Sequence, residues 1–226
     1  MFEEKKVVIL FGPPGSGKST VANKLQQITG VDSLIAGQLL REEVTKQSDL
    51  GKKIEPYIRK GQLVPTPIVT DKVREDLDKK RGSLVIFDGF PRRMKQLKPF
   101  FALLDERDMT LSQVIILNVS HAVSLKRLTG HRLCPQCGAA YHVNSDPPYM
   151  GGTCKRCGAK VRNRKDDKLE VVNRRILEYE QQTAPVATYF QSNHSDITKE
   201  VNAEKKVEEM MEAVISILKN EWLLLE

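Results

Sequence analysis

Three short runs of consecutive apolar residues punctuate the first half of the chain: residues 7–11 (VVILF), 84–87 (LVIF) and 114–117 (VIIL). None alternates with polar residues, so each predicts a strand buried on both faces, the environment of a parallel sheet. Residues 31–36 and 197–201 are weaker strand candidates. Between the strands the spacing turns helical. Val21, Leu25 and Ile28 recur at i, i+4 and i+7, and Val207, Met210, Met211, Val214 and Leu218 form a stripe near the C-terminus. Strands alternating with helices predict an α/β fold built on a central parallel sheet.

Two segments break this rhythm. Residues 37–64 read as short helices, punctuated by Gly51 and Gly61 and closed by Pro65 and Pro67. Residues 130–167 hold all four cysteines, Pro147-Pro148 and Gly151-Gly152, with too few apolar residues to build a core without a metal. Both read as insertions. The predicted organisation is a core of residues 1–35, 66–129 and 168–226, interrupted by subdomains at 36–65 and 130–167.

The chain of 226 residues, 40% hydrophobic and 29% charged, has the composition of a soluble globular protein. The apolar run near its start is too short to span a membrane, and residues 1–6 carry acids where a signal peptide is basic. A cytoplasmic protein with no membrane partner is expected. Lys and Arg number 36 against 29 Asp and Glu, a formal charge of +7. That excess suits an anionic partner, either nucleic acid or small phosphates, and equally a solvated surface.

The cysteines change the picture. Cys134 and Cys137 form one C-x-x-C pair and Cys154 and Cys157 another, the spacing of a two-knuckle zinc site. Four thiolates and one Zn²⁺ would reduce the formal charge to +5. A closed four-sulfur shell has no open position, so the expected metal is structural, and His142 is not needed as a ligand. Tetrahedral thiolates suit iron as well. A zinc ribbon can also bind nucleic acid, and Lys155, Arg156, Lys160 and Arg162 lie close by. With so little aromatic interleaving around the knuckles, no nucleic-acid partner is expected. His121 and His194 show no partner pattern and are expected on the surface.

Residues 12–19, GPPGSGKS, fit G-x-x-x-x-G-K-[ST] at every position, between the strongest strand and an amphipathic helix. Glycines let backbone N–H groups converge on a phosphate, and the helix N-terminus adds partial positive charge. Gly15, Ser16, Gly17, Lys18, Ser19 and Thr20 are therefore the candidate ATP-phosphate site. Lys18 would reach the β- and γ-phosphates and Ser19 would ligate Mg²⁺. Asp88 ends the 84–87 strand, where a carboxylate can hold the magnesium shell. It opens an unusual segment, Asp88-Gly89-Phe90-Pro91-Arg92.

Taken together, GPPGSGKST at 12–20, DGFPR at 88–92, RKDD at 164–167 and Thr183-Ala184-Pro185 resemble the adenylate kinase family. Gly61-Gln62-Leu63-Val64 is similar to that family's G-x-L-V turn, and the cysteine-bearing insertion to its long zinc-bearing lid. The likeness runs from residue 7 to about 190. It implies a P-loop core, a monophosphate-binding insertion at 36–65 and a lid at 130–167. The implied reaction is reversible phosphoryl transfer from Mg-ATP to AMP giving two ADP, by a monomer whose partners are small nucleotides. By position, Arg41 and Arg92 match grips on the monophosphate, Arg127 a lid-hinge arginine facing ATP, and Arg164 and Arg175 arginines reaching the transferred group. Lys18, Asp88, Arg92, Arg127, Arg164 and Arg175 are the implied catalytic set. Gln96 matches the reader of the AMP adenine, with Ala36, Gln62, Leu63, Val64 and Gly89 also on the AMP side. His131, Tyr141 and Lys205 fall on the ATP side.

The chain departs from the family pattern in three places. Ala36 removes a hydroxyl and Gln38 replaces a carboxylate, which leaves a kinase for CMP, UMP or GMP open as an alternative. Histidine stands at 131 where a second arginine is common, beside Arg132. Val201-Asn202-Ala203 replaces a common V-D-G. From a different class, a zinc-ribbon nucleotide-binding protein acting on nucleic acid is the other alternative.

Overall fold

Alternation of side chains explains the unbroken apolar runs. In strand β1 (Lys5–Phe11), Val7, Ile9 and Phe11 enter one hydrophobic cluster while Val8 and Leu10 enter a second on the opposite face. Strand β3 (Leu84–Asp88) divides the same way, Val85 and Phe87 against Leu84 and Ile86. So does β4 (Met109–Asn118), with Val114 and Ile116 against Ile115 and Leu117. With β2 (Asp32–Ile35) and β7 (Thr198–Asn202) these form a five-stranded sheet in the order β2-β3-β1-β4-β7, every pair parallel. This computed structural model describes residues 5–137, 139–143, 147–162 and 168–222.

Helices cover both faces, as a two-sided apolar sheet requires. Helices α4 (Thr66–Leu77), α5 (Leu97–Asp105) and α8 (Ala184–Asn193) bring Val73, Phe100 and Phe190 to the first cluster. Helices α1 (Lys18–Thr29) and α9 (Val207–Trp222) bring Val21, Leu25, Val214 and Leu218 to the second. Each such side chain, fully withdrawn from water, stabilises the fold by about 1.5–3 kcal/mol. Ile28, expected on the buried stripe of α1, is 66% exposed. It lies in the last turn, two residues before the Gly30 cap, where the helix ends.

Strand β4 begins five residues before the predicted apolar run. Its first half is more polar, in keeping with β7 pairing only with residues 114–118, so that, among the described residues, 109–113 have no strand neighbour on that side. A register irregularity opposite Val7 and Val8 accompanies the polar stretch, and Ser112 donates its hydroxyl to Val7 O.

Between β2 and α4 stand α2 (Ala36–Thr45) and α3 (Asp49–Arg59), the short helices expected there. They pack so closely that a Cβ on Gly51 would strike the backbone of Glu43. Helix α6 (His121–Thr129) leads into an antiparallel hairpin of β5 (His131–Leu133) and β6 (Ala140–His142). Cys134, Ala139, Tyr141, Cys154 and Val161 form a small cluster there, separate from both sheet faces. Helix α7 (Leu169–Glu178) returns the chain to the sheet and joins α8 through a π turn, Tyr179–Thr183. His194, expected on the surface, instead packs among Phe101, Tyr189 and Phe190, at ring separations of 5.5–5.8 Å. His121 is exposed, as expected.

Candidate active site

Function in open parallel sheets gathers beyond the C-terminal ends of the strands. Here the loop after β1, Asp88 at the end of β3 and Asn118 at the end of β4 all meet at that edge. The loop needs its glycines. Gly12, Gly15 and Gly17 have φ of 144°, 82° and 96°. A Cβ on Gly12 would lie 2.5 Å from Leu117 O, and one on Gly15 2.9 Å from Ser124 O. Ser16 N donates to Pro13 O at 3.1 Å and closes the turn.

Lys18 lies inside the curl of the loop. Its Nζ donates to Gly12 O at 2.6 Å, to Pro13 O at 2.9 Å and to Ser16 Oγ at 3.2 Å. Burial pushes its ammonium down to about 8; Asp88 opposes the shift, and Arg92 and Arg175 add to it. Burial also lowers Arg92, with Asp88 opposing and Arg175 reinforcing. Lys18 and Arg92 thus face one carboxylate, Asp88, and Arg175 lies near enough to act on both cations. That surplus of positive charge is what a polyphosphate would neutralise.

Ser19 Oγ donates to Asp88 Oδ2 at 2.5 Å. Asp88 is buried, and its Oδ1 has no hydrogen-bond partner among the described residues. An orphaned carboxylate oxygen beside a serine hydroxyl is a donor set suited to a hard divalent cation, so the residues fit Mg²⁺.

The turn after β3 is tied from three directions. Gln96 Oε1 accepts from Arg92 N at 2.6 Å and Arg93 N at 3.2 Å. Thr183, in the π turn, donates to Arg92 O at 3.0 Å. Arg93 reaches Leu63 O at 3.3 Å and Val64 O at 3.4 Å, joining this turn to the Gly61–Val64 segment. Gly89, φ 87°, leaves room for the Arg92 guanidinium, whose Nη2 would lie 2.7 Å from a Cβ there. Gln62 is exposed and Leu63 half-buried, while Ala36 and Val64 are buried. The Arg41 guanidinium lies over Gly37, one turn back in α2. Gln38 donates to Glu42 at 3.0 Å on the exposed face of that helix.

The residues expected on the ATP side are more scattered. Arg127 donates to Gly15 O and to Glu204 O, each at 3.4 Å, bridging the phosphate loop and the segment after β7. Burial lowers its pKa and Glu204 opposes that. His131 pairs across the hairpin with His142, the rings edge to face at 5.8 Å. Arg132 Nη1 is committed to the carbonyls of Thr129 and His131. Lys205 is exposed and faces Glu209 at 3.7 Å. Arg164 lies outside the described residues. Tyr141 is not placed with the phosphate loop. Its hydroxyl accepts from Lys155 N at 2.9 Å and lies 3.1 Å from Cys154 Sγ, so the ring belongs to the cysteine cluster.

All four cysteine sulfurs lie within 4.8 Å of one another, with Cys134–Cys157 at 3.4 Å and Cys137–Cys154 at 3.5 Å. A tetrahedral zinc site with Zn–S bonds of about 2.3 Å separates its sulfurs by about 3.8 Å, so the quartet fits the ion. The knuckles pull two thiols toward thiolate and hold a third against it: the Ala159 backbone N–H lowers Cys157, but contact with Cys134 and burial push it up to about 12. The Cys137 backbone N–H lowers the Cys134 thiol, against burial. At Cys154 burial raises the pKa, but the Tyr141 hydroxyl and the amides of Arg156 and Cys157 bring it down to about 6.

Two contributors carry no motif. Ser124 and Arg93 hold the phosphate loop and the post-β3 turn through backbone carbonyls. Only the adjacency of Arg93 to the DGFPR segment hints at it in the sequence.

A glycine-rich loop between a buried parallel strand and a helix, with a carboxylate at the end of the neighbouring strand, defines a P-loop nucleotide-binding protein. The family model described as adenylate kinase matches residues 10–195. Proteins called adenylate kinase from Carboxydothermus hydrogenoformans and Clostridium novyi are 37% and 38% identical to this chain, covering 93% and 82% of it and 98% and 86% of themselves. One from Pyrococcus furiosus is 33% identical, covering 93% of this chain and 94% of itself. The chain belongs to the adenylate kinase family.

Proposed function

We propose that the chain catalyses reversible transfer of the γ-phosphoryl group of Mg-ATP to AMP, giving two ADP. The observation that carries this reading is the buried Asp88 bonded to Ser19 beside the glycine loop, with Lys18 and Arg92 facing it and Arg175 near both cations. Bringing two nucleotides together concentrates negative charge, so such a site needs fixed cations and exclusion of water more than a strong base. The acceptor is an ionised phosphate oxygen, which requires no general base. Lys18 and the loop amides bind the donor phosphates, and Arg92 and Arg175, with Arg164, neutralise the group in flight. Arg41 orients the monophosphate, and Arg127 the donor. Ser19 and Asp88 are the residues that would hold Mg²⁺, which would supply further positive charge against the phosphates when bound with the nucleotide.

In this reading residues 1–35, 66–129 and 168–226 form the core, 36–65 the monophosphate-binding subdomain and 130–167 a lid held by structural Zn²⁺. The protein acts as a cytoplasmic monomer on small nucleotides; among the described residues no helix is long and apolar enough to cross a membrane. Incubating ATP with AMP, CMP, UMP or GMP and following the diphosphates tests the reading. ADP formation dependent on AMP is expected. Preference for another monophosphate would move the acceptor, and turnover only with single-stranded nucleic acid would overturn the assignment.

A further inference from the structure

Ser124 lies in the first turns of α6 and is fully buried, without being part of any phosphate-binding motif. Its hydroxyl donates to Pro14 O at 2.5 Å, across 110 residues of sequence. One turn further along the same helix, Arg127 donates to Gly15 O. Gly15 itself rests on α6: a Cβ there would meet Ser124 O at 2.9 Å and Leu128 Cγ at 3.1 Å. Two successive carbonyls at the apex of the phosphate loop are therefore turned toward α6 and held there.

A trans peptide unit is planar, and its C=O and N–H point in opposite directions. Fixing Pro14 O against Ser124 consequently aims the N–H of Gly15 away from α6. We propose that Ser124 is a positioning residue for the donor phosphates: it orients the Gly15 N–H into the phosphate cradle and sets the apex of the loop before nucleotide arrives. A loop rich in glycine has many accessible conformations, and only those with converging N–H groups bind phosphate. Holding one of them in advance removes an ordering cost from binding. The same helix packs Leu128 against Val172 and Ile176 of α7, the residues on either side of the turn that carries Arg175. Helix α6 thus holds the loop apex and the helix of one catalytic arginine in fixed relation.

The proposal rests on the phosphate-loop reading of residues 12–19 and separates from the choice of acceptor. Its test is calorimetric binding of Mg-ATP, magnesium tripolyphosphate and AMP to the native protein and to Ser124→Ala. Losing a buried hydrogen bond and leaving its acceptor unpaired should weaken ATP and tripolyphosphate by the same factor, about tenfold, with AMP unchanged. Ser124→Cys, close in size and a weaker donor, should fall between the two and covers the case in which the alanine variant does not fold. A lower melting temperature with all three affinities unchanged would make Ser124 merely structural and overturn the proposal. So would a loss confined to ATP, since that places the effect on the nucleoside. AMP-dependent ADP formation by the native protein is measured in parallel. Its absence would sink the kinase reading and leave the tripolyphosphate comparison to decide the role of Ser124.

Discussion

Lys18 gives donor binding a pH dependence whose sign and window follow from the site. Its ammonium, ordinarily at 10.5, is held down to about 8 by burial, with Arg92 and Arg175 adding to the effect and Asp88 resisting it. Bound phosphates favour the charged form, so the value in the complex lies above that of the free protein. The linkage then has three regimes. Below about 8 Lys18 is charged in both states and contributes no pH dependence of its own. Above that, binding must take up a proton, and affinity falls tenfold for each pH unit, about 1.4 kcal/mol, until the value of the complex is passed. If the complex restores the ordinary 10.5, the full loss is about 300-fold, an upper bound because Lys18 is only half-buried and solvent reaches part of the side chain.

Between pH 7.5 and 9 the expected weakening is about tenfold. Tyr179, raised above its ordinary value by burial, titrates outside this window. Calorimetry of Mg-ATP in buffers of differing ionisation enthalpy reads both quantities, and proton uptake should approach one per nucleotide near pH 9. Lys18→Arg, charged throughout, should bind with a flat profile whatever its absolute affinity. Constant native affinity from pH 7.5 to 9.5 with no proton uptake would refute the argument.

Chelation should release one zinc per chain and unfold the cysteine cluster in a transition separate from that of the sheet, because the cluster shares no residue with either sheet face; an unchanged melting curve would count against a structural metal. Gly51→Ala should destabilise the protein by about 1–3 kcal/mol in urea titrations, since its Cβ meets the backbone of Glu43 rather than a movable side chain. Arg93→Met should raise KM for the monophosphate several-fold and leave KM for ATP unchanged, because it frees the Leu63–Val64 carbonyls from the post-β3 turn. Equal changes in both constants would show that Arg93 serves stability alone.

What the sequence disclosed was local. The glycine loop, the DGFPR segment and the paired cysteines are contiguous or regularly spaced, and their physics depends on that spacing. Strands buried on both faces were legible for the same reason, as at residues 84–87. The polar beginning of β4 was not, because it goes with how far β7 extends, a property of another strand. Ser124 and Arg93 escaped because their partners lie 110 and 29–30 residues away and are carbonyls, which every residue has. The bond from Lys155 N to the Tyr141 hydroxyl, and the approach of that hydroxyl to Cys154, were not legible, since they join knuckles 13–14 residues apart. His194 carried no pattern either, since only the fold brings Phe101 beside it.

Lys18 and Arg92 are withdrawn from water in the bare protein, a cost that Asp88 offsets only in part and Arg175 increases. The residues that select for speed are therefore those that loosen the molecule. A nucleotide in the cleft relieves this cost, and at a hundred times its dissociation constant it adds about 2.7 kcal/mol to the folded state. That is a large share of what holds a typical domain together. The resistance of the purified chain to proteolysis would then rise as nucleotide is added. Evolution can strengthen the bare molecule only where it does not dilute that charge.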